Sequence, residues 1–329
     1  GGDARLMADQ NDLFRRPALG NFAALVRAVS RDPAMIVWLD GQSNRKEHPN
    51  ENFARELLEL FTLGTGNYGE TDVKEAARAF TGWHRKGRAF AFDRTAHDPG
   101  EKTILGRTGR WDGDGAIGIA LDHPAASRFL AGKLFRWFVH PAPEPDLLEP
   151  LAGAIREADG ELRPVLDLVL RSNVFHSDWA ARSIIKSPAD YVVGAVLALE
   201  VHYPPLRLAQ AMSSMGQNLF YPPNVAGWEG GRSWVGAATL LARSRFAAEI
   251  ARARGDTPGE LFDPARTFPL EAGPEALVDA VLDRLLQGEA PADVRRALVE
   301  YAGSGGEEPA AKARGLVRVV LALPEYQVG

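Results

Sequence analysis

Between Asn50 and Trp83 the chain reads NENFARELLELFTLGTGNYGETDVKEAARAFTGW, two stretches of helical periodicity split by a run of turn-forming residues. At about 100° per residue, Ala54, Leu57, Leu58 and Phe61 share one helix face, and Phe53 and Leu60 widen it. Asn52, Arg55, Glu56 and Glu59 gather on the opposite side. The spacing predicts a helix over Glu51–Leu63 stopped by Gly64. A second helix, capped by Thr71 or Asp72, is expected to run to about Gly82. Its apolar face holds Val73, Ala76, Ala77, Phe80 and Trp83, with Asp72, Glu75 and Arg78 behind. A hairpin of two such helices has to bury both apolar stripes, and this steers the chain towards packed helical layers.

The same period recurs along the rest of the sequence. Asn21 is read as the N-cap of a helix ending near Asp32-Pro33, and a short helix follows over Ala34–Leu39. Further helices are expected at Gly115–Leu121, Pro124–Val139, Pro145–Ala158, Leu162–Ser172, Pro188–Glu200 and Pro205–Met215. Beyond them come Gly236–Arg254, Pro274–Gln287, Ala292–Ala302 and Ala310–Ala322. Residues 86–110 differ: RAFAF and KTILG, each flanked by Gly or Pro, suggest one small two-stranded ribbon. The fold class is therefore mostly α, a multi-helical globular domain with a minor β ribbon. Three Pro, three Gly and a composition shift mark 255–273 as linker-like. It would divide a main domain, 1–254, from C-terminal helices, 274–329, packed back on it.

With 45% hydrophobic and 25% charged residues over 329 positions, the chain can build a sizeable core and does not resemble a disordered one. A net charge of −5 disfavours a nucleic-acid coat, which needs a basic surface. The stretch from His84 to Arg110 is locally basic, either a solvated loop or an anion-binding lip. The absence of cysteine excludes disulfides, thiolate zinc sites and cysteine nucleophiles. No apolar run reaches the roughly 18–20 residues of a membrane span. The opening GGDARLMADQ lacks the apolar stretch of a signal peptide and is read as following a processing scar.

Arg55 has Glu51 and Glu59 at i,i+4 spacing, and Glu75 and Arg78 are an i,i+3 pair. These charges either form a solvated or packing network, or line a site. Two carboxylates in unlike surroundings can do acid–base work. An Arg near each one predicts depressed pKa values, hence weak general acids, which counts against a plain glycosidase. Oxygens of Asn50, Glu51, Asn52 and Glu59 suit a hard divalent metal, although EF-hand spacing is absent. DGDG at Asp112–Gly115 reads as a helix-capping turn. None of the seven histidines has HExxH spacing. His97-Asp98, in FDRTAHDPGEKTILG, is a base, ligand or turn; His123 and His140 look like helix boundaries. Trp228 and Trp234 with Arg232, in GWEGGRSW, form either a stacking surface for sugars or aromatics, or a plug of the core.

The motif segment resembles the bacterial family known as domain of unknown function 1800. So do QNDLFRRPALGNFAALVRAVSRDPAMIVWLDGQSNRKEHPN, HDPGEKTILGRTG, HPAASRFLAGKLFRWFV, IKSPADYVVGAV, MGQNLFYPPNVAGWEGGRSW and LALPEYQ, so the resemblance spans nearly the whole chain. It marks Asn50, Glu51, Asn52, Arg55, Glu56, Glu59, Glu75, Arg78, Trp83, His97, Asp98, Lys102 and Trp228 as characteristic positions. Many relatives have His where Phe61 stands, and usually a further helical region with a Trp-His-x-His-Phe-like segment ahead of the part matched by Gln10. The resemblance implies export, a periplasmic or extracellular location, and a twin-arginine-exported partner or a cell-surface polymer as partner. It supplies no reaction. The expectation is a polar pocket, of a hydrolase or transferase, in which Arg55 and Arg78 hold an anionic group. Glu56 or Glu59 would be base or ligand, His97 with Asp98 would shuttle a proton, and Asn50, Asn52, Glu75, Lys102, Trp228 and Arg232 would contact substrate. The alternative is a non-catalytic interaction module whose Arg–carboxylate network only fixes helix packing.

Overall fold

Short polar side chains set where the first helices begin. Asp3 accepts from the Arg5 N–H at the start of α1 (Ala4–Arg15), Asn21 from Ala24 at α2 (Phe22–Ser30), and Asp32 from Met35 at α3 (Pro33–Trp38). Each satisfies a backbone donor that the first helical turn leaves open. The computed structural model describes residues 3–253 and 261–329. The chain divides into two compact units, one ending at Ala180 and the other beginning at Ala181.

In the first unit, the helix expected over Glu51–Leu63 is not uniform. α4 (Asn52–Glu56) runs into a π-helical turn, Leu57–Thr62. The N–H groups of Leu63 and Gly64 both bond to the Leu58 carbonyl, at 2.8 and 3.2 Å. Such a turn widens the helix and rotates its side chains away from the α-helical register, and it is common at functional sites. α5 (Glu70–Ala79) begins just before the expected cap, with Asp72 accepting from the Gly69 N–H at 2.9 Å.

Two ribbons stand where one was expected. β1 (Trp83–Lys86) pairs with β2 (Ala89–Phe92), and β3 (Lys102–Ile104) with β4 (Arg107–Gly109), all antiparallel. RAFAF and KTILG thus each fold back on an immediate neighbour instead of on one another. The reason is local: Leu105 and Gly106 both have positive φ, the backbone of a two-residue hairpin turn. Gly82 sits at the junction of α5 and β1 with φ +81°, where a Cβ would lie 2.4 Å from the Asp93 carbonyl oxygen. Only glycine fits there.

The unit continues through α6 (Gly113–Leu121), α7 (Pro124–Phe138), α8 (Pro145–Glu157) and α9 (Leu162–Leu170). The Asp112 carboxylate accepts from the Gly115 N–H at 3.0 Å, so DGDG is a helix cap. Leu57, Leu58, Val73, Ala76, Phe80 and Ile117 centre one buried cluster, which joins the motif hairpin to α6. A second cluster, around Ala131, Phe135, Ala152 and Val165, holds α7, α8 and α9 together.

The second unit contains α10 (Pro188–Leu199), α11 (Pro205–Ser214), α12 (Ala237–Arg252), α13 (Pro264–Thr267), α14 (Pro274–Leu286), α15 (Ala292–Gly303) and α16 (Pro309–Ala322). They share one core, with Tyr191, Phe246, Ile250, Val278 and Leu316 among its members. Part of the segment read as linker-like, 255–273, contributes to this core. Residues 255–260 of that segment lie outside the described residues, but Phe262 and Phe268 are buried in this core. Phe262 and Phe268 tie the described part of the segment to this unit, since domain membership follows the apolar anchors. Among the described residues no helix is long and apolar enough to cross a membrane.

Candidate functional site

The side chains of the motif helix fall into two groups with opposite surroundings. Glu56, at the end of α4, is 9% exposed, and among the described residues no hydrogen bond or ion pair reaches its carboxyl. Burial first, and the Glu59 carboxylate second, push its pKa above the usual carboxylic-acid range; Arg55 opposes them without winning. The lowered pKa expected from sequence proximity to Arg55 is thus reversed. Arg55 spends its donors elsewhere, and burial of an unpaired carboxyl penalises its charged form. Glu59, one turn on, accepts the Tyr68 hydroxyl at 2.5 Å. Burial, then that bond, raises the Tyr68 phenol to about 12, so it stays a donor at neutral pH.

Arg55 forms a bidentate pair with Glu70, both bonds 2.8 Å, and reaches Glu51 at 3.0 Å. It clamps the start of α5 to α4. Asn50 and Asn52 are framework as well. The Asn50 carbonyl accepts from the Asn52 N–H at 2.9 Å, while its amide donates to the Ser43 hydroxyl at 2.6 Å and the Asp40 carboxylate at 3.1 Å. Asn52 donates to the Leu39 carbonyl at 3.2 Å.

A second network ties α5 to the ribbon region. Arg78 Nε donates to Asp98 at 2.7 Å, and its Nη1 meets both Glu75 oxygens at 2.9 and 3.0 Å. Glu75 also accepts from the Thr103 N–H at 3.0 Å. Burial pushes the Asp98 carboxyl up, but Arg78, the Gly100 N–H and the Lys102 charge outweigh it and hold the pKa below the usual range. Lys102 is 1% exposed and donates to the carbonyls of Asp98 and Gly100 at 2.7 and 2.8 Å. Desolvation lowers its pKa. His97 donates from Nδ1 to the Thr81 carbonyl at 2.9 Å, since a carbonyl can only accept. The Thr81 hydroxyl in turn accepts from the Asp98 N–H at 2.8 Å. His97, Asp98, Glu75, Arg78 and Lys102 are thus brought together, with Arg78, Asp98 and Lys102 bonded within the group. Of the basic stretch around them, Arg88 pairs with Asp9 and Arg107 with Asp122.

Trp228 and Arg232 lie in the second unit, half-buried and exposed respectively, while Trp234 is buried. Among the described residues no three His, Asp or Glu side chains gather in a metal-holding group. Of the oxygens weighed for a hard cation, those of Asn50, Glu51 and Glu59 already accept hydrogen bonds.

A family model described as protein of unknown function DUF1800 matches residues 1–328. The chain belongs to this family. No curated protein and no solved structure matches it. Within this DUF1800 chain, the residues missed at sequence level are those that complete the two networks. Tyr68 is in the turn-rich loop, Glu70 opens α5, Thr81 follows α5, and Thr103 contributes through its backbone. Tyr68 carried one usable signal, being the only aromatic residue in GTGNYGE.

Proposed function

We propose that this DUF1800 chain carries a proton-donating carboxylic acid at Glu56, in a hydrolase or transferase site on the motif helix. The observation that carries the reading is the burial of Glu56 without a partner, on a helix distorted into a π turn one residue later. A general acid needs a pKa closer to neutrality than a solvated carboxyl has, and burial beside a second carboxylate moves it that way. Glu59, oriented by Tyr68, is the neighbouring base or ligand-holding group. Arg55 and Arg78 are committed to carboxylates, so an anionic substrate finds no unpaired arginine here. What remains are acceptor oxygens, which suit a substrate rich in hydroxyl donors, such as a saccharide.

The test is turnover of aryl glycosides and related polar esters, with carboxyl titration of Glu56 followed by NMR. The expected result is a Glu56 pKa above the ordinary range and loss of turnover in Glu56→Gln at unchanged fold. A Glu56 titrating like a solvated glutamate, or full turnover in Glu56→Gln, overturns the reading.

A second reading, a non-catalytic interaction module, is favoured by the saturation of Arg55 and Arg78. It predicts that substituting Glu56 changes stability alone. Family resemblance further supports a periplasmic or extracellular location and an exported partner or cell-surface polymer; fractionation of cells expressing the natural gene tests the location.

A further inference from the structure

α2, the motif helix and α7 border a cavity of about 220 Å³ within the first unit, and Glu56 is not among its lining residues. Its walls are apolar, built by Phe22, Val26, Phe53, Leu60, Phe61 and Leu130 among others. Two lining side chains are polar, Ser30 and Lys133. The Ser30 hydroxyl is committed to the Val26 carbonyl at 2.8 Å. Lys133 is different. Its ammonium stands 5.0 Å from the Phe129 ring centroid, and among the described residues no carboxylate or other acceptor reaches it. Arg136, three residues on, adds a second positive charge, with no ion pair among the described residues. Lys133 keeps solvent exposure; its partial desolvation and Arg136 push its pKa down, which an anion held there would reverse.

We propose that this cavity binds an unesterified alkyl carboxylate, the chain lying among Phe53, Leu60 and Phe61 and the carboxylate meeting Lys133. An apolar cavity alone would take any hydrocarbon. Of the residues lining the cavity Lys133 alone is cationic; without a carboxylate among the described residues it selects a negative head, and one lining ammonium suits a monovalent head better than a phosphate, which calls for several donors. The site shares the motif helix with Glu56 but uses other residues, so it stands whether or not Glu56 is catalytic.

Calorimetric titration of the purified chain with decanoate, decanol and decyltrimethylammonium tests this directly. Decanoate is expected to bind saturably and about tenfold more tightly than decanol, with the cationic probe weakest. Across hexanoate, octanoate and decanoate, affinity should rise by about fourfold per methylene until the cavity is full. Lys133→Met should bring decanoate down to the affinity of decanol and leave decanol unchanged. Leu60→Trp should fill the cavity and abolish both while keeping the helical circular dichroism; if that variant does not fold, Lys133→Met alone decides. Equal affinity for decanoate and decanol in the native chain overturns the proposal. So does an unaltered preference in Lys133→Met, or binding to phosphatidylglycerol vesicles without saturable decanoate binding.

Discussion

Nε of Arg78 donates to Oδ2 of Asp98 across 2.7 Å, and Nη1 of the same guanidinium holds Glu75. One side chain thereby fastens α5 to the loop ahead of β3, with both partners mostly shielded from solvent. Removing one member of a shielded ion pair leaves the other without compensation. Arg78→Met is expected to lower the unfolding free energy of the first unit by about 3 kcal/mol, read by urea denaturation. A change within about 0.5 kcal/mol would show that the network is no clamp.

Asp98 also makes the fold acid-sensitive. Its folded pKa lies below the unfolded value, so its stabilisation is complete above the unfolded value, near about 4. The stabilisation disappears as pH falls through the folded value. Asp98→Asn should be less stable than the native chain at neutral pH, with the gap closing in acid. Thermal unfolding across that range checks it; a gap independent of pH would remove the electrostatic account.

Glu56 works in the opposite direction. Its folded pKa is raised, so ionisation above the unfolded value costs stability, and that cost vanishes as pH falls below both values. Glu56→Gln is therefore expected to unfold at a higher temperature near neutral pH, by about 2–4 °C, and to show little difference at low pH. A destabilised variant at neutral pH would mean that the carboxylate is held by contacts outside those described above.

Gly82 should tolerate no side chain. With φ +81° and a virtual Cβ 2.4 Å from the Asp93 carbonyl oxygen, Gly82→Ala combines an unfavourable backbone with a collision against main chain. A loss of at least about 2 kcal/mol is expected from equilibrium denaturation. Gly87→Ala, where no atom lies within 4 Å, should cost less although its φ is also positive.

Much of the helical plan was legible because it is written in short-range terms. Periodicity located the motif hairpin, and Asn21 and Asp112 announced the helices they cap. The ribbons and the long-range core contacts were less legible. β1 finds β2 through a turn whose geometry depends on Gly87, and Phe262 joins its core through residues distant in sequence. At the site, the pairing of Arg78 with Glu75 followed from helical spacing, whereas its bond to Asp98 crosses twenty residues of intervening chain.

The motif segment itself marks the division. Sequence alone determined that the motif segment carries two amphipathic helical stretches and that the chain belongs with its family, since both rest on residue order. Only the tertiary structure decided which charges are free. Arg55 and Glu56 are adjacent in sequence, yet Arg55 turns to Glu70 while Glu56 is buried without a partner among the described residues. The π turn that follows Glu56 and the return of the chain through Tyr68 and Glu70 set those environments. Burial and pairing depend on neighbours brought in by folding, and pKa follows burial and pairing.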